Sequence, residues 1–257
     1  MHETIYTIPV TEVYETPCEC PMCALEKRFE NDRVNYYLGP SLMEPDNRIE
    51  TNNTGFCGRH FAKMYNTQAN RLGLGLILDT YMEEQNRKLS KAAGSAAQAD
   101  TSKEKKSILG MLKGKEGDNV KAAKAISDYW TEHEKQCCIC RDLESTMDRY
   151  YDVLMYLYFS QKEFKDRFDA GLGYCMRHFT ILTEYADKHL SGSKKDTFLG
   201  VLVKQQLENL ERIQGEVNWF TKKFDYRNTD APWGNSRDSL PRGMRKMTGY
   251  REIGDEK

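Results

Sequence analysis

Long hydrophobic runs are missing from this sequence. The longest uninterrupted apolar stretch is residues 153–159, far short of the roughly 20 residues that cross a bilayer as a helix. The opening stretch MHETIYTIPVTEVYE has neither the basic start nor the apolar core of a secretory signal. A cytoplasmic protein with reduced thiols is therefore expected, and no membrane partner. An excess of one charge sign is also absent: 38 Lys and Arg stand against 39 Asp and Glu, for a net charge of −1. That balance gives no general attraction to nucleic acid or to an anionic lipid surface. Enzyme signatures are lacking too. The chain contains no P-loop, dinucleotide fingerprint, H-E-x-x-H or G-x-S-x-G pattern.

What the 257 residues do contain is charge at 30% and hydrophobic residues at 39%, the balance of a soluble, helix-rich protein. They also contain eight cysteines, which in a reducing compartment signal metal binding or redox chemistry more often than disulfides. The cysteines follow a pattern. Cys20 and Cys23 form a C-x-x-C pair in CPMC, and Cys137 and Cys140 form another in CCIC. Cys57 and His60 form C-x-x-H in GFCGRHF, matched by Cys175 and His178 in GYCMRHF. The gap from Cys23 to Cys57 is 34 positions and that from Cys140 to Cys175 is 35. The residues Leu25-Glu26 and Leu143-Glu144 follow the two C-x-x-C pairs. A period of about 118 residues reads as two copies of one unit, too long for a solenoid.

Three cysteines and one histidine are a standard tetrahedral donor set for structural zinc. A C-x-x-C supplies two thiolates to one ion, and a C-x-x-H opening a helix supplies two more donors where backbone N–H groups favour a thiolate. The spacing predicts one Cys3His site per half: Cys20, Cys23, Cys57 and His60 in the first, and Cys137, Cys140, Cys175 and His178 in the second. Two structural zinc ions are the expected cofactors. Iron–sulfur is the alternative, but clusters usually take four cysteines. Arg59 and Arg177 are placed to offset the net negative charge of three thiolates on a divalent ion. Cys18 and Cys138 are left over, either as packed thiols or as the attacking groups of a redox switch.

The expected fold is all-α: two related helical halves, each stapled by a Cys3His site and joined by a flexible linker. The halves are residues 1–90 and 119–225, with a linker over 91–118 and an irregular tail over 226–257. Residues 1–17 read as extended. A helix is expected from Cys23 to Gly39-Pro40, then a polar loop over 41–56. Further helices are expected from His60 to about Asn66 and from Leu72 to Leu89. In the second half a helix over about 119–134 shows Ile126 and Trp130 as its buried face. The helix after CCIC repeats Leu143, Met147, Tyr150, Leu154 and Leu157 at three and four. A helix begins at His178. The last helix, about 195–224, carries a stripe of Leu199, Val203, Leu210, Ile213, Val217, Phe220 and Phe224 that Gln206 interrupts.

Through CECPMCALE, LGPSLMEPDNRIETNNTGFCGRHF, RLGLGLILDTYMEE and FDYRN with a later PWG, the chain resembles an uncharacterised bacterial family whose members pair C-x-x-C with F-C-x-R-H-F. The resemblance covers most of the chain outside residues 91–120. It implies that the cysteines and histidines belong to a shared pattern, and it brings no activity with it.

Closed metal sites and the missing enzyme patterns point to a non-catalytic scaffold for a protein partner. Two alternatives stand beside it. One is a thiol-based redox or metal sensor using Cys18 and Cys138. The other is a small-ligand binder or enzyme using Glu44, Asp46, Arg48 and Glu50, with Arg71 and Asp79. Histidines outside the motifs, His2, His133 and His189, read as exposed or satisfied. Nucleic-acid binding is not expected without a basic helix face.

Overall fold

Apolar side chains three and four residues apart recur along the chain, and this period is realised as helices. The computed structural model describes residues 4–98 and 117–249; residues 99–116 of the expected linker and 250–257 of the expected tail lie outside the described residues. The helices are α1 (Thr4–Val13), α2 (Pro21–Leu38), α3 (Pro45–Thr54), α4 (Gly58–Asn66), α5 (Arg71–Gln98), α6 (Asp118–His133), α7 (Cys138–Ser160), α8 (Lys162–Asp169), α9 (Met176–His189), α10 (Gly192–Lys222) and α11 (Ser239–Thr248). Among the described residues there is no strand. The all-α class holds.

The chain divides into two compact units, but not at the expected linker. One unit is the contiguous Glu30–Glu144; the other joins Met1–Phe29 to Ser145–Lys257. We call them inner and outer for their order along the sequence. The division falls inside α2 and inside α7, so each of these helices supplies residues to both units.

The inner unit packs Val34, Tyr37, Leu38, Phe56, Met64, Leu74, Ile77 and Ile139 into one apolar cluster. Here α5 pairs with α6 and with α3. The outer unit is centred on rings. Tyr14, Tyr158, Phe164, Phe168, Tyr174 and Phe198 are all buried. Tyr158 meets Phe198 edge-on at 5.1 Å between centroids, a geometry that aligns ring edges with ring faces. The Tyr14 and Tyr174 hydroxyls share a hydrogen bond of 2.6 Å within this cluster.

Several expectations are corrected. The first segment is helical rather than extended, despite Pro9 inside it. Val10 and Tyr14, four apart, are both buried, and this tertiary burial overrides the weak local propensity. Residues 41–56 are not a loop: Pro40–Met43 is a 3-10 turn, and Pro45 starts α3 after Glu44. Proline at the first helical position loses no intrahelical bond, which made EPDN a start signal. Helix α5 continues through Gln98, into the expected linker. On α6 the apolar Ile126 and Trp130 are exposed at 38% and 40%, while His133 is buried. The alanines at 122 and 125 are half-buried on the same side as Tyr129 and His133, and small side chains let α6 approach α5 closely.

The buried face of α10 is also rotated from the expected stripe. It carries Phe198, Leu202, Gln205, Gln206 and Ile213, while Val203 and Phe224 are exposed. The tail is not wholly irregular, because α11 forms over SLPRGMRKMT. Pro241 falls in its first turn, where a missing N–H costs nothing.

Candidate metal centres

The eight expected ligands converge in two groups, and their partition differs from the one expected. Cys20 and Cys23 meet Cys175 and His178 in the outer unit; Cys57 and His60 meet Cys137 and Cys140 in the inner unit. Each C-x-x-C is thus matched with the C-x-x-H of the other half. A division into two halves that each staple themselves does not hold. The reason is topological. Spacing brings two donors of one motif together, but which distant motif joins them is decided by helix packing.

Local geometry repeats in both groups. Each C-x-x-C opens a helix: Cys20 directly precedes Pro21, the first residue of α2, and Cys138 is the first residue of α7. Cys57 and Cys175 are the N-cap residues of α4 and α9. Two helix N-termini therefore meet at each group, where free N–H groups and the helix dipole favour anionic sulfur. The amides of Cys23, Cys140 and His178 donate to Cys20, Cys137 and Cys175 Sγ at 3.4, 3.5 and 3.4 Å. Before each C-x-x-H stands a glycine in the left-handed region, Gly55 at φ 68° and Gly173 at φ 74°. A Cβ on Gly55 would lie 2.4 Å from the Tyr81 ring, and one on Gly173 would lie 3.2 Å from Gln206 Oε1.

The donor distances fit one ion per group. In the outer group the Sγ atoms of Cys20, Cys23 and Cys175 lie 3.4, 3.3 and 3.2 Å from His178 Nδ1. Cys23 and Cys175 Sγ are 3.5 Å apart. In the inner group Cys57, Cys137 and Cys140 Sγ lie 3.2, 3.2 and 3.4 Å from His60 Nδ1. Cys57 and Cys140 Sγ are 3.8 Å apart. A tetrahedron with zinc–sulfur bonds of about 2.3 Å and zinc–nitrogen bonds of about 2.0 Å has sulfur–nitrogen edges of about 3.5 Å and sulfur–sulfur edges of about 3.8 Å. All eight cysteines are unbridged. The residues fit a tetrahedral thiophilic cation.

Electrostatics point the same way. Hydrogen bonds from Cys20 and Cys23 hold the Cys175 thiol far below its ordinary range, while burial pushes Cys20 up. In the inner group a hydrogen bond from Cys140 pulls Cys137 down to about 3, and Cys140 is pushed up by its bond with Cys137. A divalent cation is what allows three thiolates to share one such site.

The supporting residues differ between the groups. His60 Nε2 lies 3.0 Å from Glu30 Oε1. Glu30 is buried, which opposes its charge, yet His60, Lys63 and Arg59 hold its carboxyl at about 2. Its oxygens take Arg59 Nη2 at 2.6 Å and Lys63 Nζ. With Nδ1 turned to the sulfurs, this carboxylate fixes the ring's orientation and tautomer. Glu26, one turn earlier on α2, pairs with Arg177, and its oxygen is 3.6 Å from His178 Nε2. Arg59 and Arg177 thus reach carboxylates of α2.

The outer group is held instead by α10 and α11. Gln206 accepts from the Tyr174 amide at 3.0 Å and donates to the Tyr174 carbonyl at 2.9 Å. Gln205 donates to Phe168 and Gly171 carbonyls. The side chain of Lys246 is fully buried, and its ammonium donates to the Glu19 carbonyl at 2.9 Å and to the Leu172 carbonyl. One lysine thereby ties together the segments that precede Cys20 and Cys175. Glu19 also receives Arg212 at 2.7 Å and Arg242 at 3.1 Å. Sequence reading missed all of these. The signal available was polar residues inside an apolar stripe, and it was read as an interruption.

The remaining candidates take structural places. Cys18 is half-buried and Cys138 fully buried. Arg48 donates to the Leu76 carbonyl at 2.8 Å and Glu50 pairs with Arg141, both within the inner unit. Glu44 takes Asn47, and Arg71 lies over the Tyr65 ring at 5.0 Å. Glu44, Arg48, Glu50 and Arg71 are thereby engaged with neighbouring side chains and carbonyls of the inner unit. No helix among the described residues is long and apolar enough to cross a membrane.

Fold and donor set together define an all-helical protein with two Cys3His groups able to hold metal ions. The chain belongs to the Family of unknown function (DUF6062), whose model matches residues 1–253. No curated protein and no solved structure matches it.

Proposed function

We propose that the protein binds two structural zinc ions, one in each Cys3His group, and serves as a non-catalytic scaffold for a protein partner in a reducing compartment. The observation that carries this reading is that each group brings four protein donors within 4.8 Å of one another. Zinc in such a site joins distant segments and adds its binding free energy to folding. A catalytic zinc keeps one position for water, and here that position is taken by an imidazole. The outer ion would join the two segments of the outer unit, the start of α2 to the start of α9; the inner ion would join α4 to the start of α7.

The sensor alternative, built on the spare thiols, has less support. Burial pushes the Cys138 thiol up to about 12, so it is a weak nucleophile near neutral pH, and burial raises the Cys18 thiol above its ordinary value. The reading based on the 44–50 segment loses ground because Arg48 and Glu50 anchor α3 to its neighbours.

Elemental analysis of full-length protein prepared without chelators tests the proposal. Two zinc ions per chain are expected, with Cys18 reacting in the native state and Cys138 only after unfolding. A metal-free folded protein with all eight thiols reactive would contradict it.

A further inference from the structure

Along α10 the residues Val203, Leu207, Leu210, Gln214, Val217 and Thr221 alternate in steps of four and three, the spacing of a coiled-coil seam. This seam is not turned to the core of the outer unit. Phe198, Leu202, Gln205, Gln206 and Ile213 take that place, while Val203 and Leu207 are exposed at 43% and 63%. Beside the second half of the seam, α10 and α11 border an apolar groove of about 580 Å3, with Leu210 and Val217 on one wall and Leu240, Met244 and Met247 on the other. The three α11 side chains are exposed as well. Seam and groove share Leu210 and Val217, so they form one apolar strip on the surface, of the kind that marks an interaction site.

The charges beside the seam select its occupant. Lys204 and Glu211 follow Val203 and Leu210 by one position, on the same flank, and both are exposed. Within the chain Lys204 reaches only Glu208, at 3.9 Å between exposed side chains, a weak contact. In an antiparallel pair of α10 helices, like flanks face each other. With Leu207 set against the partner's Leu210, Lys204 lies beside the partner's Glu211, and the two-fold axis repeats the pair. The same register sets Gly200 against the partner's Val217, at the groove. Open space surrounds the position a Cβ would take on Gly200. A glycine inside a helix costs about 1 kcal/mol relative to alanine, and here it lets α10 enter a groove flanked by Met244 and Met247. In a parallel pair the facing flank would be Gln206 and Ile213, which are buried and uncharged.

We infer that α10 and its groove are the interface of a symmetric dimer, in which a second copy of this chain lays its α10 antiparallel along the seam and pairs Lys204 with Glu211 across it. This goes beyond the zinc reading and does not require it.

Sedimentation equilibrium of the full-length protein, as purified, tests this from about 1 to 100 µM. A dimer is expected. Leu207→Glu should weaken it about a hundredfold, since it places a carboxylate at two positions of the apolar seam. Lys204→Glu should weaken it about tenfold, because like charges then face each other twice. Adding Glu211→Lys to Lys204→Glu should restore most of the affinity. Melting temperature and metal content of each variant show whether it is folded, so a lost metal is not read as a lost dimer. The charge variants, on an exposed flank, carry the test if Leu207→Glu does not fold. A monomer throughout that range, a dimer indifferent to a folded Leu207→Glu variant, or a charge-reversed double variant no tighter than Lys204→Glu alone would overturn the inference.

Discussion

The two Cys3His groups share a donor set and a pair of helix N-termini, yet they are secured by different means. In the outer group Cys20, Cys175 and His178 are buried, Cys23 is 9% exposed, and the ligand segments are held by Gln205, Gln206 and Lys246 through backbone carbonyls and one amide. In the inner group Cys57 and Cys140 are half-buried, and the support is one carboxylate, Glu30, on the histidine itself. The outer group encloses its ligands and fixes the backbone around them. The inner group leaves two sulfurs near solvent and fixes the imidazole. Burial governs how fast an ion exchanges; hydrogen bonds to the ligand govern how tightly it is held.

Losing a ligand should give the largest effect. Cys175→Ala and Cys57→Ala should each reduce bound zinc from two ions to one. Cys175→Ala should cost more, above about 5 kcal/mol, because metal binding is folding energy and this sulfur is fully enclosed. Melting temperature with parallel zinc analysis checks this, and equal losses would erase the contrast. Next comes Lys246→Met, which leaves two carbonyls without their donor and removes a buried cation beside Glu19. A loss of about 3 kcal/mol is expected in denaturant unfolding, with chelators stripping the outer ion faster and the inner ion at the wild-type rate.

Glu30→Gln should weaken zinc at the inner group about 10–100-fold, measured by competition with a chromogenic chelator. Glu26→Gln should do less at the outer group, since Glu26 stands 3.6 Å from His178 Nε2. The smallest effect concerns His133 of the inner unit. Burial and then Lys88 hold its folded pKa below the ordinary value. The unfolded chain, titrating near about 6.5, therefore binds more protons in mild acid. The contribution of neutral His133 is complete above that pH and is lost as pH falls through the folded value. His133→Gln should flatten the melting temperature between about pH 7 and pH 5, relative to wild type.

How much of this was legible depends on whether a feature is local. The eight donors, the helix starts at Cys57 and Cys175, and the buried face of α7 all follow from residue type and short spacing. Leu143, Met147, Tyr150, Leu154 and Leu157 are indeed buried. The pairing was not legible, because both partitions give the same three sulfurs and one nitrogen, and nothing in a spacing of 34 or 35 residues selects the distant motif. The face of α10 was misread for a related reason. Gln205 and Gln206 look polar in sequence and become interior once the Phe168 and Tyr174 carbonyls need donors. Helices α3 and α11 were obscured by polar and proline-rich composition, although both prolines sit in first turns.

Zinc content of two double variants tests the crossed pairing most directly. Cys20→Ala with Cys175→Ala removes two ligands from the outer group alone, so one ion per chain should remain. Cys20→Ala with Cys57→Ala damages both groups, so none should be held tightly. The reverse outcome, no ion in the first variant and one in the second, would contradict the crossed arrangement and restore two self-stapled halves.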